Sequence, residues 1–69
     1  MRYLFWNTFR NDDINVYISK LVEENNIDIV MLAEYTADHA DLVERLKSQD
    51  SNYEETNLVP DPITEILQR

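Results

Sequence analysis

Five apolar residues in a row, Ile29, Val30, Met31, Leu32 and Ala33, lie between Asp28 and Glu34, and this run (residues 27–34, IDIVMLAE) most constrains the fold. An uninterrupted apolar stretch of that length suits a strand buried on both faces, as in a parallel sheet covered by helices. Glu34 stands where the strand emerges, and in open α/β sheets ligands bind at the carboxyl ends of the strands. A second short run, residues 3–6 (YLFW), ends on Asn7. The chain thus twice places a polar side chain at the end of an apolar strand.

Composition limits what such strands can serve. At 69 residues the chain is one small domain or part of one, and a domain of this size buries only about 60% of its unfolded surface. There is no cysteine, which excludes a disulfide framework, a thiolate zinc site and a cysteine nucleophile and fits a reducing compartment. There is no glycine either, where average usage of ~7% would supply about five. Its absence removes the phosphate-cradling loop and the dinucleotide fingerprint, and it argues against tight two-residue hairpins, which favour positive φ. Fourteen acidic against six basic side chains give a formal net charge of -8. Such a surface repels nucleic acid and anionic lipid unless a metal or a basic partner intervenes. No stretch approaches the ~18 apolar residues of a membrane span, and the residues after Arg2 do not make a signal peptide. The expected location is cytoplasmic.

Taken in order, residues 3–6 read as a strand and residues 7–11 as a polar loop. Asn11 or Asp12 can cap a helix, with Asp13 complementing its dipole. Ile14, Tyr17, Ile18, Leu21 and Val22 then recur at i, i+3, i+4, i+7 and i+8, the apolar face of a helix. Asn25-Asn26 is a stop, since Asn tolerates the left-handed conformation. After the strand of residues 27–34, Thr36 can cap a second helix that has Asp38 in its first turn, an apolar stripe of Leu42, Val43 and Leu46, and an Asp41–Arg45 pair at i, i+4. Residues 53–59 make at best an edge strand. Asp61-Pro62 resembles a helix start, with Ile63, Ile66 and Leu67 lining one or two helical turns or opening a further strand.

The expected class is α/β: a β-α-β-α unit whose two parallel strands are joined by a right-handed crossover. Two strands leave unpaired edges and an uncovered apolar run. The 69 residues are therefore expected to be a single partial domain, the start of a larger two-layer sandwich with helices outside, completed by further chain or by another chain.

If the strands are neighbours, Asn7 and Glu34 emerge side by side. A carboxylate beside a neutral amide is a sensible start for a hard-cation site, because Mg2+ takes one or two carboxylates and fills its shell with water and phosphate oxygens. Phe5-Trp6-Asn7, a helix, and then Asp28-Ile29-Val30-Met31-Leu32-Ala33-Glu34 resemble the opening of the endonuclease/exonuclease/phosphatase superfamily, the DNase I-like metal-dependent phosphoesterases. Ala33 stands where that family usually has Gln. The resemblance covers about the first half of the chain. It implies that Asn7 is the active-site Asn and Glu34 the metal-binding Glu, with Mg2+ or Mn2+ as cofactor and a phosphate ester as substrate. The family's Asp-x-Asn pair and its C-terminal Asp-His pair have no counterpart here, since Asp38-His39 follows Glu34 too closely.

Each residue also has a plainer reading. Glu34 can be a solvated acid, Asn7 a turn residue bonding local backbone, Asp12 and Asp13 capping acids, and His39 a surface helix residue. A Glu34–Asp38–His39 cation cluster is geometrically conceivable. Tyr35, Trp6 and Phe9 read as packing residues. Two functions follow. The first is the N-terminal part of a metal-dependent phosphoesterase or nuclease, inactive by itself. The alternative is a small acidic α/β interaction module that offers a strand edge or the stripe of Leu42, Val43 and Leu46.

Overall fold

The computed structural model describes residues 1–56 and 64–69. In chain order its elements are β1 (Tyr3–Asn7), α1 (Asn15–Asn25), β2 (Ile29–Ala33), α2 (His39–Gln49), β3 (Glu54–Glu55) and β4 (Glu65–Gln68). The four strands form one sheet in the order β1-β2-β4-β3. β1 runs parallel to β2, with Tyr3 opposite Ile29 and Asn7 opposite Ala33. β4 is antiparallel to β2, with Leu32 opposite Glu65 and Ile29 opposite Gln68. β3 is antiparallel to β4.

The expected strand–helix–strand–helix order and the parallel pair are present. The expectation that the sheet needs outside help to pair β2 is corrected, because β4 occupies its second edge from within the chain. Of the two readings open for Ile66 and Leu67, helix or further strand, the strand is present, with Glu65 and Leu67 inward and Ile66 and Gln68 outward. Asp61, Pro62 and Ile63, together with the end of the expected strand at residues 53–59, lie outside the described residues. Of that strand's described residues, Glu54–Glu55 form β3 and the Thr56 N–H bonds the Ile66 carbonyl at 2.8 Å.

Both helices contribute to a single core. Ile14, Ile18 and Val22 from the α1 side and Leu42 and Leu46 of α2 close over Val30, Leu32 and Leu67 of the sheet, with Tyr35 and Tyr53 at its margins. Leu42 and Leu46 are thereby fully buried, while Val43, the third residue of that stripe, is half-buried. β2 is not covered on both faces as its composition suggests. Val30 and Leu32 are buried while Ile29, Met31 and Ala33 are only half-buried. On the same side, Tyr3 is 60% and Phe5 69% exposed. Trp6 packs partly against the core, but Phe9, expected to pack, is 78% exposed.

Local signals explain the helix ends. α1 stops where Asn26 takes φ 50° and its N–H bonds the carbonyl of Val22, the left-handed cap that Asn tolerates. Its start is later than expected: Asn11 Oδ1 accepts from the Asp13 N–H in a preceding turn, and α1 has no side-chain cap. α2 is capped by Asp38, whose Oδ1 accepts from the Asp41 N–H at 3.1 Å, and not by Thr36, whose hydroxyl donates to Asp12 Oδ1 at 2.7 Å. The Arg45–Asp41 pair forms at 2.8 Å.

The amino end of β2 is tied by a polar knot. Asp28 accepts from the Arg2 backbone N–H at 2.8 Å and from Arg69 Nε at 2.9 Å. Arg69 also reaches Asp50 and the Asn26 carbonyl and lies 5.6 Å over the Tyr53 ring. The Tyr53 hydroxyl donates to the Ile27 carbonyl. One ladder thus secures both chain ends to the central strand.

Leu32→Ala is expected to cost about 2–5 kcal/mol, a large share of a small domain's stability. Phe5→Ser on the opposite, open face should cost less than about 1 kcal/mol. Urea unfolding of the two variants measures both. The Arg2 N–H and then Arg69 hold the Asp28 carboxyl below its ordinary 3.8. Its contribution is therefore complete above that value and is lost as pH falls through the lower, folded one. The urea midpoint should drop on acidification in that window, and less steeply in Arg69→Ala.

Candidate functional site

The parallel register sets Asn7 against Ala33, so the two strand ends emerge together, with Glu34 one residue on. The corner they form is bonded closely. The Thr8 N–H donates to the Ala33 carbonyl at 2.9 Å and the Arg10 N–H to the Glu34 carbonyl at 3.0 Å. The buried Thr8 hydroxyl also donates to the Glu34 carbonyl, at 2.8 Å. Asn7 Oδ1 accepts from the Phe9 N–H at 3.0 Å, the local backbone bond of an Asx turn. That bond fixes the amide plane, and Asn7 Nδ2 donates no hydrogen bond among the described residues. Asn7, with its amide oriented, and the half-buried residue Glu34 therefore stand at one edge of the sheet.

This corner is also strained. Among the described residues, positive φ occurs at Phe9 (52°), Arg10 (59°), Glu34 (52°) and the helix-capping Asn26. The Asn11 N–H returns to the Thr8 carbonyl at 3.1 Å, so Phe9 and Arg10 are the central pair of a tight turn. Without glycine the chain still makes a turn of positive φ, at roughly 1–2 kcal/mol for each residue with a Cβ. Three such residues meet at the ends of β1 and β2. Strain of this kind persists where the surrounding bonds over-determine it.

Behind the corner, Tyr35 is buried and its hydroxyl donates to Asn15 Oδ1 at 2.5 Å. Asn15 Nδ2 bonds the Asp38 carbonyl at 2.9 Å and Asp41 Oδ2 at 3.0 Å. Burial pushes the Tyr35 phenol well above its ordinary value. Tyr35 is thus a packing residue that ties α1 to α2.

The conceivable Glu34–Asp38–His39 cluster is not assembled, because Asp38 caps α2 and His39 turns the other way. His39 Nδ1 bonds Glu65 Oε2 and lies 3.8 Å from Glu55 Oε2. The Tyr35 ring meets the imidazole edge-on at 4.9 Å. Glu65 is 1% exposed. Burial, and after it the neighbouring Glu55, raise its carboxyl to about 7 against the opposing pull of His39. Among the described residues, the metal-ligating side chains that converge are His39, Glu55 and Glu65, their donor atoms within 4.8 Å of one another. Glu34 is not among them.

Sequence reasoning placed Asn7 and Glu34 at one sheet edge, where they are, and missed Glu55 and Glu65. The usable signal was period two: once Leu67 is an inward strand residue, Glu65 falls on the same face.

No family model, curated protein or solved structure matches the chain. Among the described residues no helix is long and apolar enough to cross a membrane.

A left-handed Glu34 should cost stability that glycine would return. Glu34→Gly is expected to unfold at higher urea than Glu34→Ala, by about 1 kcal/mol. Equal midpoints would mean that the corner relaxes in solution.

Proposed function

We propose that this chain is the N-terminal part of a metal-dependent phosphoesterase of the endonuclease/exonuclease/phosphatase type. In this reading Glu34 is a ligand of Mg2+ or Mn2+, and Asn7 orients the phosphate ester. The reading rests on one observation above all, the parallel register that sets Asn7 opposite Ala33 and so beside Glu34.

The residues fit that assignment in kind. One carboxylate suits a cation that keeps most of its shell as water and substrate oxygen. When bound, such an ion polarises a phosphate oxygen and activates a water for in-line attack. Asn7 presents its N–H2 because Phe9 occupies its oxygen, and an amide donor suits a phosphate oxygen. Glu34 is held through its main chain by Thr8 and Arg10, which leaves its carboxylate out of the local bonding. A functional carboxylate is a sufficient reason to keep a side chain where glycine would be more stable.

The open face of the sheet supports the larger architecture. Tyr3, Phe5, Ile29, Met31 and Ile66 lie on one side of three adjacent strands, exposed or only half-buried. A contiguous apolar face of this sort packs against another layer, and two sheets stack face to face at ~10 Å. We assign this face to the second sheet of the sandwich, which would bring the remaining catalytic groups.

Titration with MgCl2 followed by 1H–15N NMR tests the site. The Asn7 side-chain amide and the Glu34 and Tyr35 backbone amides should shift together and weakly, with the response lost in Glu34→Gln. Diffuse shifts over the acidic surface, identical in the variant, would overturn the assignment. The 69-residue chain should hydrolyse no generic phosphodiester at a measurable rate. Turnover abolished by Glu34→Ala would show that the catalytic machinery is already complete within it.

A further inference from the structure

His39, Glu55 and Glu65 come from the first turn of α2, the end of β3 and the start of β4, far apart in sequence and brought together only by the fold. From this convergence we infer a second cation site, a three-ligand centre for a first-row divalent ion of the zinc class, built from His39 Nδ1 and the Glu55 and Glu65 carboxylates. It is separate from Glu34 and stands whether or not Glu34 binds magnesium.

The donor set chooses the ion. An imidazole nitrogen with carboxylate oxygens suits zinc, manganese, iron or cobalt, whereas magnesium is bound through oxygen. Donor atoms on one tetrahedral zinc ion sit roughly 3.3 Å apart, given bond lengths near 2.0–2.2 Å. His39 Nδ1 and Glu55 Oε2 are 3.8 Å apart, and all three donors lie within 4.8 Å. Side-chain rotations that part His39 Nδ1 from Glu65 Oε2 and draw Glu55 inward would seat all three on one ion.

Two further observations separate this cluster from a scatter of surface acids. First, Glu65 is almost wholly buried, on the face of β4 that carries Leu67 into the core. A buried carboxylate is costly unless paired, and a second carboxylate is set beside it. Two carboxylates set side by side ionise together readily only with a cation between them, and a divalent ion would supply it. Second, the cluster has an entrance. A groove of about 600 Å³ lined by His39, Ala40, Val43, Glu44, Lys47 and Glu55 opens onto two of the three donors. Three protein ligands leave a fourth position, and the groove is where a water or a small anionic ligand would take it. The Tyr35 ring, edge-on to the imidazole, fixes the orientation of the nitrogen ligand.

The test is calorimetric titration of the full chain with ZnCl2, together with long-range 1H–15N spectra of the imidazole. His39 is the sole histidine, so its two ring nitrogens give unambiguous signals. One zinc per chain is expected, with the Nδ1 resonance moved to the position of a ligated nitrogen. Binding should weaken at least tenfold in His39→Ala and in Glu55→Gln. Glu55→Gln changes a solvent-accessible carboxylate and keeps its shape, so it carries the binding test, while circular dichroism of His39→Ala, which removes the partner of buried Glu65, separates lost binding from lost fold. Glu23→Gln, on the exposed side of α1, controls for diffuse attraction to the acidic surface, and Glu34→Gln separates this site from the strand ends. Both should bind zinc as the parent does. An unmoved Nδ1 resonance at saturating zinc, or equal affinity in His39→Ala, would overturn the site and leave a hydrogen-bonded His–Glu pair.

Discussion

Everything in this molecule leans on β2. Val30 and Leu32 carry both helices, β1 and β4 share its two edges, and the Glu34 and Asp28 that flank it serve opposite ends of the domain. A strand with two paired edges satisfies its backbone polar groups completely, which is what allows a segment with so little polar character to be buried. Its neighbours then inherit their places. Asn7 arrives at the carboxyl edge because β1 is parallel to β2, and Glu65 arrives there because β4 is antiparallel.

The two ends of β2 have different physical characters. At the amino end, Asp28, Arg2, Arg69 and Tyr53 pair charge with charge and donor with acceptor. At the carboxyl end, left-handed residues with full side chains, an amide turned outward and a buried acid accumulate. Three of the left-handed residues and the buried acid thus gather at one end of β2, and the charge pairing at the other.

The first half of the fold was legible because it is written in local terms. The i, i+3, i+4 stripe from Ile14 to Val22, the Asn25-Asn26 stop and the apolar run before Glu34 each act within a few residues, and a crossover of that length permits few arrangements. The second half was not legible, because its signals are tertiary. Ile66 and Leu67 suit a helix or a strand equally, and only the vacant edge of β2 decides between them. Thr36 lost the capping role to Asp38 because its hydroxyl found Asp12. Ile29 and Met31 are as apolar as Val30 and Leu32, so composition could not reveal that only one face is covered. Glu55 and Glu65 look like ordinary acids until β3 and β4 carry them to His39. The absence of glycine bore on two-residue hairpins, whereas Phe9 and Arg10 make a positive-φ turn of another kind, between β1 and α1.

The sheet order has a consequence for how the chain acquires its structure during synthesis. β1 and β2 can pair once the first thirty-odd residues have emerged, but the other edge of β2 is filled by a strand that begins at Glu65. At ~5–20 residues per second that edge stands open for roughly two to six seconds of translation. Through that interval Val30 and Leu32 lack their cross-strand neighbour, and the nascent chain presents a hydrophobic edge of the kind that chaperones hold. Assembly of the His39–Glu55–Glu65 cluster coincides with the closing of that edge, so the same event that ends the exposure also brings the three donors together.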